Sequence, residues 1–176
     1  MIPRGTRVVL AGVAGGLHPE VGTATAVEVV EVLQPGARAL VPPLRLTGLP
    51  AARCLAAPAP LTRVEAKQEA AERHGADVVD TESAAFARVA SGSRWSWTIV
   101  RGVSDGARHS LPEGIESWTD ARGRTRLATV ALALVRGRVS GRELMRLGGR
   151  SRMAMQAVAA ALDAAEPAPS TARGTP

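Results

Sequence analysis

Two short segments of this chain each end an apolar run with a carboxylate that is followed or preceded by small residues. One is Val79-Asp80-Thr81-Glu82-Ser83, and the other is Val100-Arg101-Gly102-Val103-Ser104-Asp105. A separated pair of acids indicates bond-breaking chemistry, because one carboxyl group can serve a leaving group while the other serves the part of the substrate that stays. Glu82 and Asp105 are therefore the first candidates for catalysis.

A glycine-rich segment lies earlier in the chain. Ala11-Gly12-Val13-Ala14-Gly15-Gly16-Leu17 follows the strand-like run Arg7-Val8-Val9-Leu10. Glycine has no Cβ, so a polar ligand can approach bare backbone at such a segment. We expect a tight turn that contacts a ligand through Gly15 and Gly16, although a turn with no ligand has the same sequence.

Taken in this order, the three segments resemble the purine nucleoside phosphorylase and nucleosidase superfamily. Its members carry a Gly-x-Ala-Gly-Gly-Leu turn, a Val-Asp-x-Glu-Ser/Ala-Ala segment and an Arg-x-x-Ser-Asp strand end. Within it the chain is most similar to hopanoid-associated phosphorylases, through Lys67 before Gly75-Ala76-Asp77, through Leu111-Pro112 and through an arginine-rich tail. The resemblance runs from about Arg7 to about Leu162.

The resemblance implies a three-layer α/β/α sandwich with a central mixed, largely parallel sheet. Only Met1 to Thr6 precede the first predicted strand, whereas relatives usually have further strands there. We therefore expect a nucleoside phosphorylase-like fold that lacks the N-terminal strands, which in relatives supply a water-activating carboxylate or a phosphate-binding loop. The implied reaction is cleavage of the N-glycosidic bond of a purine nucleoside, such as adenosylhopane, by phosphate or water. The resemblance also implies a homo-oligomer.

Asp105 and Glu82 then receive separate roles. A carboxylic acid in a partly dry pocket has a raised pKa, so Asp105 can hold a proton for a purine nitrogen as the leaving-group acid. Glu82 can accept hydrogen bonds from two neighbouring sugar hydroxyls and so anchor ribose. Each acid also has a structural interpretation: Asp105 as a cap with Ser104, and Glu82 as an acid in the first turn of a helix.

Their neighbours complete the predicted site. Thr81 and Ser104 join Gly15, Gly16 and Glu82 as substrate-binding residues; the position of Thr81 is often methionine in the superfamily, where it packs under the sugar. Asp80 fits a strand-end cap as well as a functional role. Arg101 lies in an otherwise apolar strand, so it either contacts phosphate or pairs with a buried acid.

Length and composition indicate a single globular domain. The chain has 176 residues, of which 45% are apolar and only 2% aromatic, so the core must be built from Ala, Val and Leu. We expect one domain over residues 1–165 and a disordered tail over residues 166–176, where Pro, Ala, Ser and Thr dominate.

Apolar patterning predicts the elements in turn. Capping residues Thr62 and Glu65 introduce a helix that ends at Gly75, and a strand, helix, strand series then predicts a parallel crossover unit. A mostly helical tail follows. The predicted strands are 7–10, 23–33, 37–41, 53–57, 76–79 and 97–103, and the predicted helices before the tail are 63–74 and 82–90.

The net charge of +6 comes almost entirely from arginine, since Lys67 is the only lysine. In the tail Arg138, Arg142, Arg146 and Arg150 share one helical face. A solvated face accounts for this pattern, and attraction to an anionic membrane surface or to nucleic acid is the alternative. We expect no specific nucleic-acid partner.

Several classes of site are excluded. Cys54 is the only cysteine, so no internal disulfide can form, and His18, His74 and His109 show no metal-ligand spacing. No apolar run reaches the roughly 20 residues that span a bilayer. We expect a cytoplasmic protein with no cofactor, with inorganic phosphate as a candidate co-substrate.

Two other functions remain open from the sequence. One is a catalytically impaired, truncated relative that only binds nucleoside. The other is a basic nucleic-acid-binding module, which would require salt-dependent binding through residues such as Arg142 and Arg146.

Overall fold

A computed structural model describes residues 2–112, 114–118, 127–137 and 139–166 of the chain. These residues form five strands, four helices and a short 3-10 helix, Ile115–Trp118. The strands are β1 (Arg7–Gly16), β2 (Ala26–Leu33), β3 (Ala51–Ala56), β4 (Val78–Asp80) and β5 (Ser96–Asp105). The helices are α1 (Val64–His74), α2 (Ser83–Gly92), α3 (Leu127–Val135) and α4 (Gly141–Ala164).

The five strands form one mixed sheet in the order β1-β4-β3-β2-β5, and this sheet closes into a barrel. Strand β5 pairs in parallel with β1 and in antiparallel with β2, which brings the two ends of the order together. The α/β class and the mixed sheet agree with the sequence prediction. The predicted sandwich differs from the structure because the sheet closes on itself, with three parallel and two antiparallel pairings.

The predicted parallel crossover from β4 through α2 to β5 is wrong. Strand β1 lies between β4 and β5; it runs antiparallel to β4 and parallel to β5. Strands β4 and β5 therefore run in opposite directions. The short β4 instead continues the parallel pairing of β2 with β3.

Strand β5 is the centre of the core. Trp97, Ile99 and Val103 are buried in the same apolar cluster as Ala84, Ala87 and Ala90 of α2. On the other side of the strand, a β-carbon on Gly102 would overlap the carbonyl oxygen of Ala154 in α4. Helices α2 and α4 thus pack on opposite faces of β5 and fix its position.

Helix ends show which local signals held. Gly75 ends α1 in the left-handed conformation, with φ 59°, as predicted. The Thr62–Glu65 capping box is wrong, since Arg63 occupies the N-cap and makes no side-chain cap bond. A capping box forms instead at α4, where the hydroxyl and amide of Ser140 donate to the carboxylate of Glu143 and hold its pKa below the usual value.

The helical tail follows the prediction in part. Leu144 and Leu147 pack against a small cluster that contains Trp118 and Val130, and Val158 is buried on the sheet. Met155, predicted on the apolar face, is exposed. The carbonyl oxygen of Glu166 accepts a 3.0 Å hydrogen bond from the amide of Thr47, so this first residue of the predicted tail is anchored.

Other predictions lie outside the described residues or change with the fold. Arg138 and the tail after Glu166 lie outside the described residues. The strand predicted over 37–41 is reduced to one bridge between Leu40 and Val32. Of the helices that the structure describes, none is long and apolar enough to cross a membrane.

Candidate functional site

The glycine-rich segment is not a turn. Strand β1 continues through it to Gly16, and its glycines leave space for side chains of the neighbouring strand β5. After a register shift between Ala14 and Gly15, Gly15 pairs with Asp105, and a β-carbon on Gly15 would lie 3.1 Å from Asp105 Oδ2. The predicted turn is therefore wrong, and the contact of Gly15 and Gly16 with a ligand stays a prediction.

Asp105 lies at the end of β5, where its side chain is 8% exposed. Its Oδ2 forms an ion pair with Nζ of Lys67, a residue of α1 whose side chain is fully buried. Its Oδ1 accepts a 2.8 Å hydrogen bond from the hydroxyl of Ser104. The carboxylate is therefore held from two sides, by Lys67 and by Ser104.

The chain turns immediately after Asp105, and the same lysine holds this turn. The amide of His109 donates to the carbonyl oxygen of Gly106 at 3.0 Å, which closes a four-residue loop. Lys67 Nζ donates to that oxygen at 3.1 Å and to the carbonyl oxygen of His109 at 2.9 Å. Residues 105–109 and α1 are thus joined through one buried ammonium group.

A second charged cluster surrounds Arg101, which is 1% exposed. Its Nη2 pairs with Asp80 and donates to Ser83 Oγ at 3.4 Å. Asp80 Oδ1 in turn accepts the amide of Ser83 at 3.1 Å at the start of α2. Arg101 therefore forms a structural ion pair, and Asp80 caps α2 as the sequence suggested.

Glu82 belongs to this second cluster. One of its oxygens lies 3.3 Å from Nη2 of Arg101, and its side chain is 69% exposed. It occupies the N-cap position of α2 without a side-chain cap bond, so its carboxylate is available to solvent. Thr81 beside it is also exposed.

The two clusters lie along β5 on opposite faces of the sheet. The register shift places one extra residue of β5 between Val103 and Asp105, so simple alternation does not hold there. Gly12, which pairs with Arg101, and Gly15, which pairs with Asp105, are three residues apart on β1 and therefore face opposite sides. The prediction relied on aligned carboxyl ends of strands, but β4 runs opposite to β1 and β5. The structure therefore does not bring Glu82 and Asp105 together as predicted: among the described side chains, no hydrogen bond or ion pair joins the Arg101 cluster to the Asp105 cluster.

Burial and nearby charges shift two further groups. Burial, followed by the charges of Arg150 and Lys67, lowers the pKa of His109, while Asp105 opposes this shift. Burial, followed by the charge of Asp80, raises the pKa of the Cys54 thiol. Among the described residues, no three His, Cys, Asp or Glu side chains come together as a metal site.

The described structure has two clefts on its surface. One of about 240 Å³ lies between β3 and α1, against Leu55, Leu61 and Ala70. One of about 60 Å³ lies between the 3-10 helix and α3, against Trp118 and Leu132. Neither is lined by Glu82 or Asp105.

The sequence analysis missed the role of Lys67, which it used only as a mark of resemblance. One signal was present in the sequence: Lys67 is the only lysine, whereas every other Lys or Arg position holds arginine. Its burial and its pairing with Asp105 depend on how α1 packs against the end of β5, and no local pattern encodes that contact.

Several solved structures share the fold. An MTAN from Chlamydia trachomatis bound to MTA superposes with a TM-score of 0.60 and 16% identity, over 91% of this chain and 64% of that chain. The same protein bound to adenine gives 0.57 and 15%, over 92% and 64%. A 5′-methylthioadenosine/S-adenosyl homocysteine nucleosidase from Campylobacter jejuni gives 0.52 and 17%, over 62% and 60%.

The present chain thus spans less than two thirds of the length of these structures. No curated protein matches it. The family model described as the phosphorylase superfamily matches residues 49–136, which is half of the chain and includes Lys67, Glu82 and Asp105. The chain belongs to the phosphorylase superfamily.

Proposed function

We propose that this protein cleaves the N-glycosidic bond of a purine nucleoside. The observation that carries the proposal is the buried, doubly held carboxylate of Asp105, which lies beside Gly15 at the ends of two parallel strands. Membership of the phosphorylase superfamily supports the same reaction class.

Asp105 is the proposed partner of the departing base. When the bond between ribose and purine breaks, its electron pair passes to the base, which takes up a proton from solvent at a purine nitrogen. The Asp105 carboxylate accepts a hydrogen bond from that N–H and so lowers the energy of the departing base. Ser104 and Lys67 hold the carboxyl group in one orientation for this contact. Gly15 supports the role because it places no β-carbon against the carboxylate.

Glu82 is the proposed ribose anchor, with Thr81 next to it. Its exposed carboxylate has free oxygen lone pairs for the sugar hydroxyls, and Arg101 holds it at 3.3 Å. The acceptor is phosphate or water. Arg101 is already paired with Asp80, so a direct phosphate contact would require its exposed partner Glu82 to move aside.

The central test is release of adenine from adenosine and from 5′-methylthioadenosine, followed by chromatography with and without inorganic phosphate. Asp105→Asn should lower kcat by about 10²- to 10⁴-fold, the range expected when a carboxylate that assists proton transfer is lost. Asp163→Asn, which changes an exposed aspartate on α4, is the matched control and should keep the wild-type rate. Equal rates in the wild type and Asp105→Asn would remove Asp105 from the reaction.

The same assay assigns the acceptor and tests Glu82. Ribose 1-phosphate as product indicates phosphorolysis, and free ribose indicates hydrolysis. Glu82→Gln should raise KM for adenosine by about 10-fold, since a hydrogen bond to a charged group contributes about 1.5–3 kcal/mol when shielded and less when exposed. It should affect 2′-deoxyadenosine less, because that substrate lacks one of the proposed hydroxyl partners.

Among purine nucleosides, we propose a lipid-linked one such as adenosylhopane as the substrate. This assignment rests on the resemblance to hopanoid-associated phosphorylases and on the exposed Arg142, Arg146 and Arg152 of α4, which can attract an anionic membrane surface. Co-sedimentation with anionic vesicles but not with neutral ones would support it. Equal partition with both kinds of vesicle would remove the membrane contribution.

A protein that binds nucleoside without cleaving it is the second candidate. The high exposure of Glu82, which no described contact joins to Asp105, favours it. Calorimetric binding of adenine or adenosine without any release of adenine would establish this function in place of catalysis.

A further inference from the structure

We propose that Lys67 is the positioning residue of the active site, and that it acts on the reaction through Asp105. This inference rests on the proposed function. Lys67 lies on α1, outside the predicted site. In this proposal it fixes the position of the reactive carboxylate and of the loop that follows it.

The hydrogen bonds of the ammonium group support the assignment. A lysine has three N–H donors and no acceptor, and Lys67 meets three acceptors: Oδ2 of Asp105 and the carbonyl oxygens of Gly106 and His109. Every donor is thus used within one five-residue stretch of chain. The group therefore fixes the direction of the carboxylate relative to the backbone immediately after it.

Because Lys67 is buried, its charge must be paired within the protein. Lys67 is 0% exposed, and a buried ammonium group is tolerated only when it is paired and hydrogen-bonded. The neighbouring charged or titratable groups are Asp105 on β5 and His109 in the loop, with Arg150 of α4 acting on His109. Asp105 is the only anion among them, so the lysine and the aspartate depend on each other.

The geometry also leaves a distinct function for each carboxylate oxygen. Lys67 occupies Oδ2, and Ser104, which is partly buried, donates to Oδ1. A ligand base can therefore exchange its hydrogen bond with that of Ser104 while Lys67 keeps the carboxylate in place. A positioning residue should accordingly affect turnover more than substrate binding.

A double-mutant cycle tests the proposal in the full chain. Lys67→Met, Asp105→Asn and the double variant are compared for kcat, KM and Tm with adenosine as substrate. Lys67→Met should lower kcat by about 10- to 100-fold, the size expected from a small misplacement of a reacting group, with little change in KM. Added to Asp105→Asn, the same substitution should produce no further loss of kcat.

Two further variants keep the test interpretable. Arg73→Met makes the same cation-to-methionine change on the exposed side of α1, where Arg73 pairs only with Glu69, and should leave kcat unchanged. If Lys67→Met alone does not fold, Lys67→Arg keeps the charge but alters the geometry, and it should reduce kcat. The double variant, which has no unpaired buried charge, should have a higher Tm than Lys67→Met.

The outcomes separate the two proposals. Normal turnover in folded Lys67→Met would overturn the role of Lys67 and leave the proposed function intact. The same holds if Lys67→Met lowers kcat by an equal factor in the wild type and in Asp105→Asn. No cleavage of any purine nucleoside by the wild type would overturn both. A fall in Tm without a fall in kcat would identify a purely structural ion pair and would also overturn the positioning role.

Discussion

A β-carbon on Gly12 would overlap Nη1 of the Arg101 guanidinium, so the glycine of β1 and the arginine of β5 fill one space together. The two residues are paired in the parallel register of these strands. Arg101 is 1% exposed and is held by Asp80, which leaves its guanidinium little freedom to move aside. The glycine is therefore required for the ion pair behind α2.

Gly12→Ala should destabilise the protein by about 1–3 kcal/mol, the usual range for overpacking a filled site. Urea unfolding followed by circular dichroism measures the change. Gly148→Ala is the matched control, because that helical glycine has open space around its Cβ position and alanine should stabilise α4 by about 0.5–1 kcal/mol. Equal stability of Gly12→Ala and wild type would show that Arg101 can move without cost.

Glu28 is a fully buried acid on β2 whose oxygens serve three donors. Thr98 Oγ1 and the amide of Leu46 donate to Oε1 at 3.1 and 2.8 Å, and Arg45 Nε donates to Oε2 at 3.0 Å. Glu28→Ala should lower the free energy of unfolding by about 3–5 kcal/mol, because it leaves buried donors unpaired and opens a cavity.

Arg45→Ala provides the comparison for Glu28. The arginine side chain is 46% exposed, so its removal should cost clearly less than removal of the buried acid. Both variants are compared by urea unfolding. A larger loss for the arginine would contradict this assignment of the buried partner.

Stability should fall as the pH decreases below about 6.5, in part through His109. In the folded protein the pKa of His109 lies below its usual value, so the unfolded chain binds a proton at a higher pH than the native state does. As the pH falls, proton binding therefore stabilises the unfolded state and lowers the free energy of unfolding. Above the pKa of the histidine in the unfolded chain, His109 is neutral in both states and this loss of stability is absent. His109→Gln should therefore show a smaller loss of urea midpoint between pH 7.5 and pH 5.5, taken as about one unit on either side of that value.

His18→Gln controls for the removal of a histidine, since His18 is exposed after β1. A pH dependence that is identical in wild type and His109→Gln would contradict the prediction.

The Cys54 thiol should be unreactive in the folded protein. Burial first, and the Asp80 carboxylate second, raise its pKa, so the thiolate that attacks disulfide reagents is scarce at neutral pH. Reaction with a chromogenic disulfide should be slow at pH 8, near the ordinary thiol pKa, and fast in denaturing urea. Rapid labelling under native conditions would indicate local opening around β3.

Local signals in the sequence predicted local features well. Gly75 ended α1 as expected, and Asp80 capped α2, because each of these outcomes depends on a few adjacent residues. The Thr62–Glu65 box failed for the opposite reason. The chain enters α1 one residue later, and the loop carbonyl of Thr62 instead accepts the amide of Leu111.

Long-range features were harder to predict. The direction of β4 depends on its pairing with β1, which is about 60 residues away in sequence and has no local signature. The burial of Lys67 likewise depends on the packing of α1 against residues 105–109. Asp105 and Glu82 could be named as candidates from the sequence, but their separation into a buried and an exposed acid could not.

The shortness of β4 has a consequence for how copies of this chain can associate. Strand β4 has three residues and pairs with β1 only at Gly15 and Gly16, although β1 begins at Arg7. Over residues 7–14, the edge of β1 that faces away from β5 therefore has no strand partner among the described residues, and Val9 and Val13 are partly exposed beside it. A strand of another copy can add along such an edge through backbone hydrogen bonds.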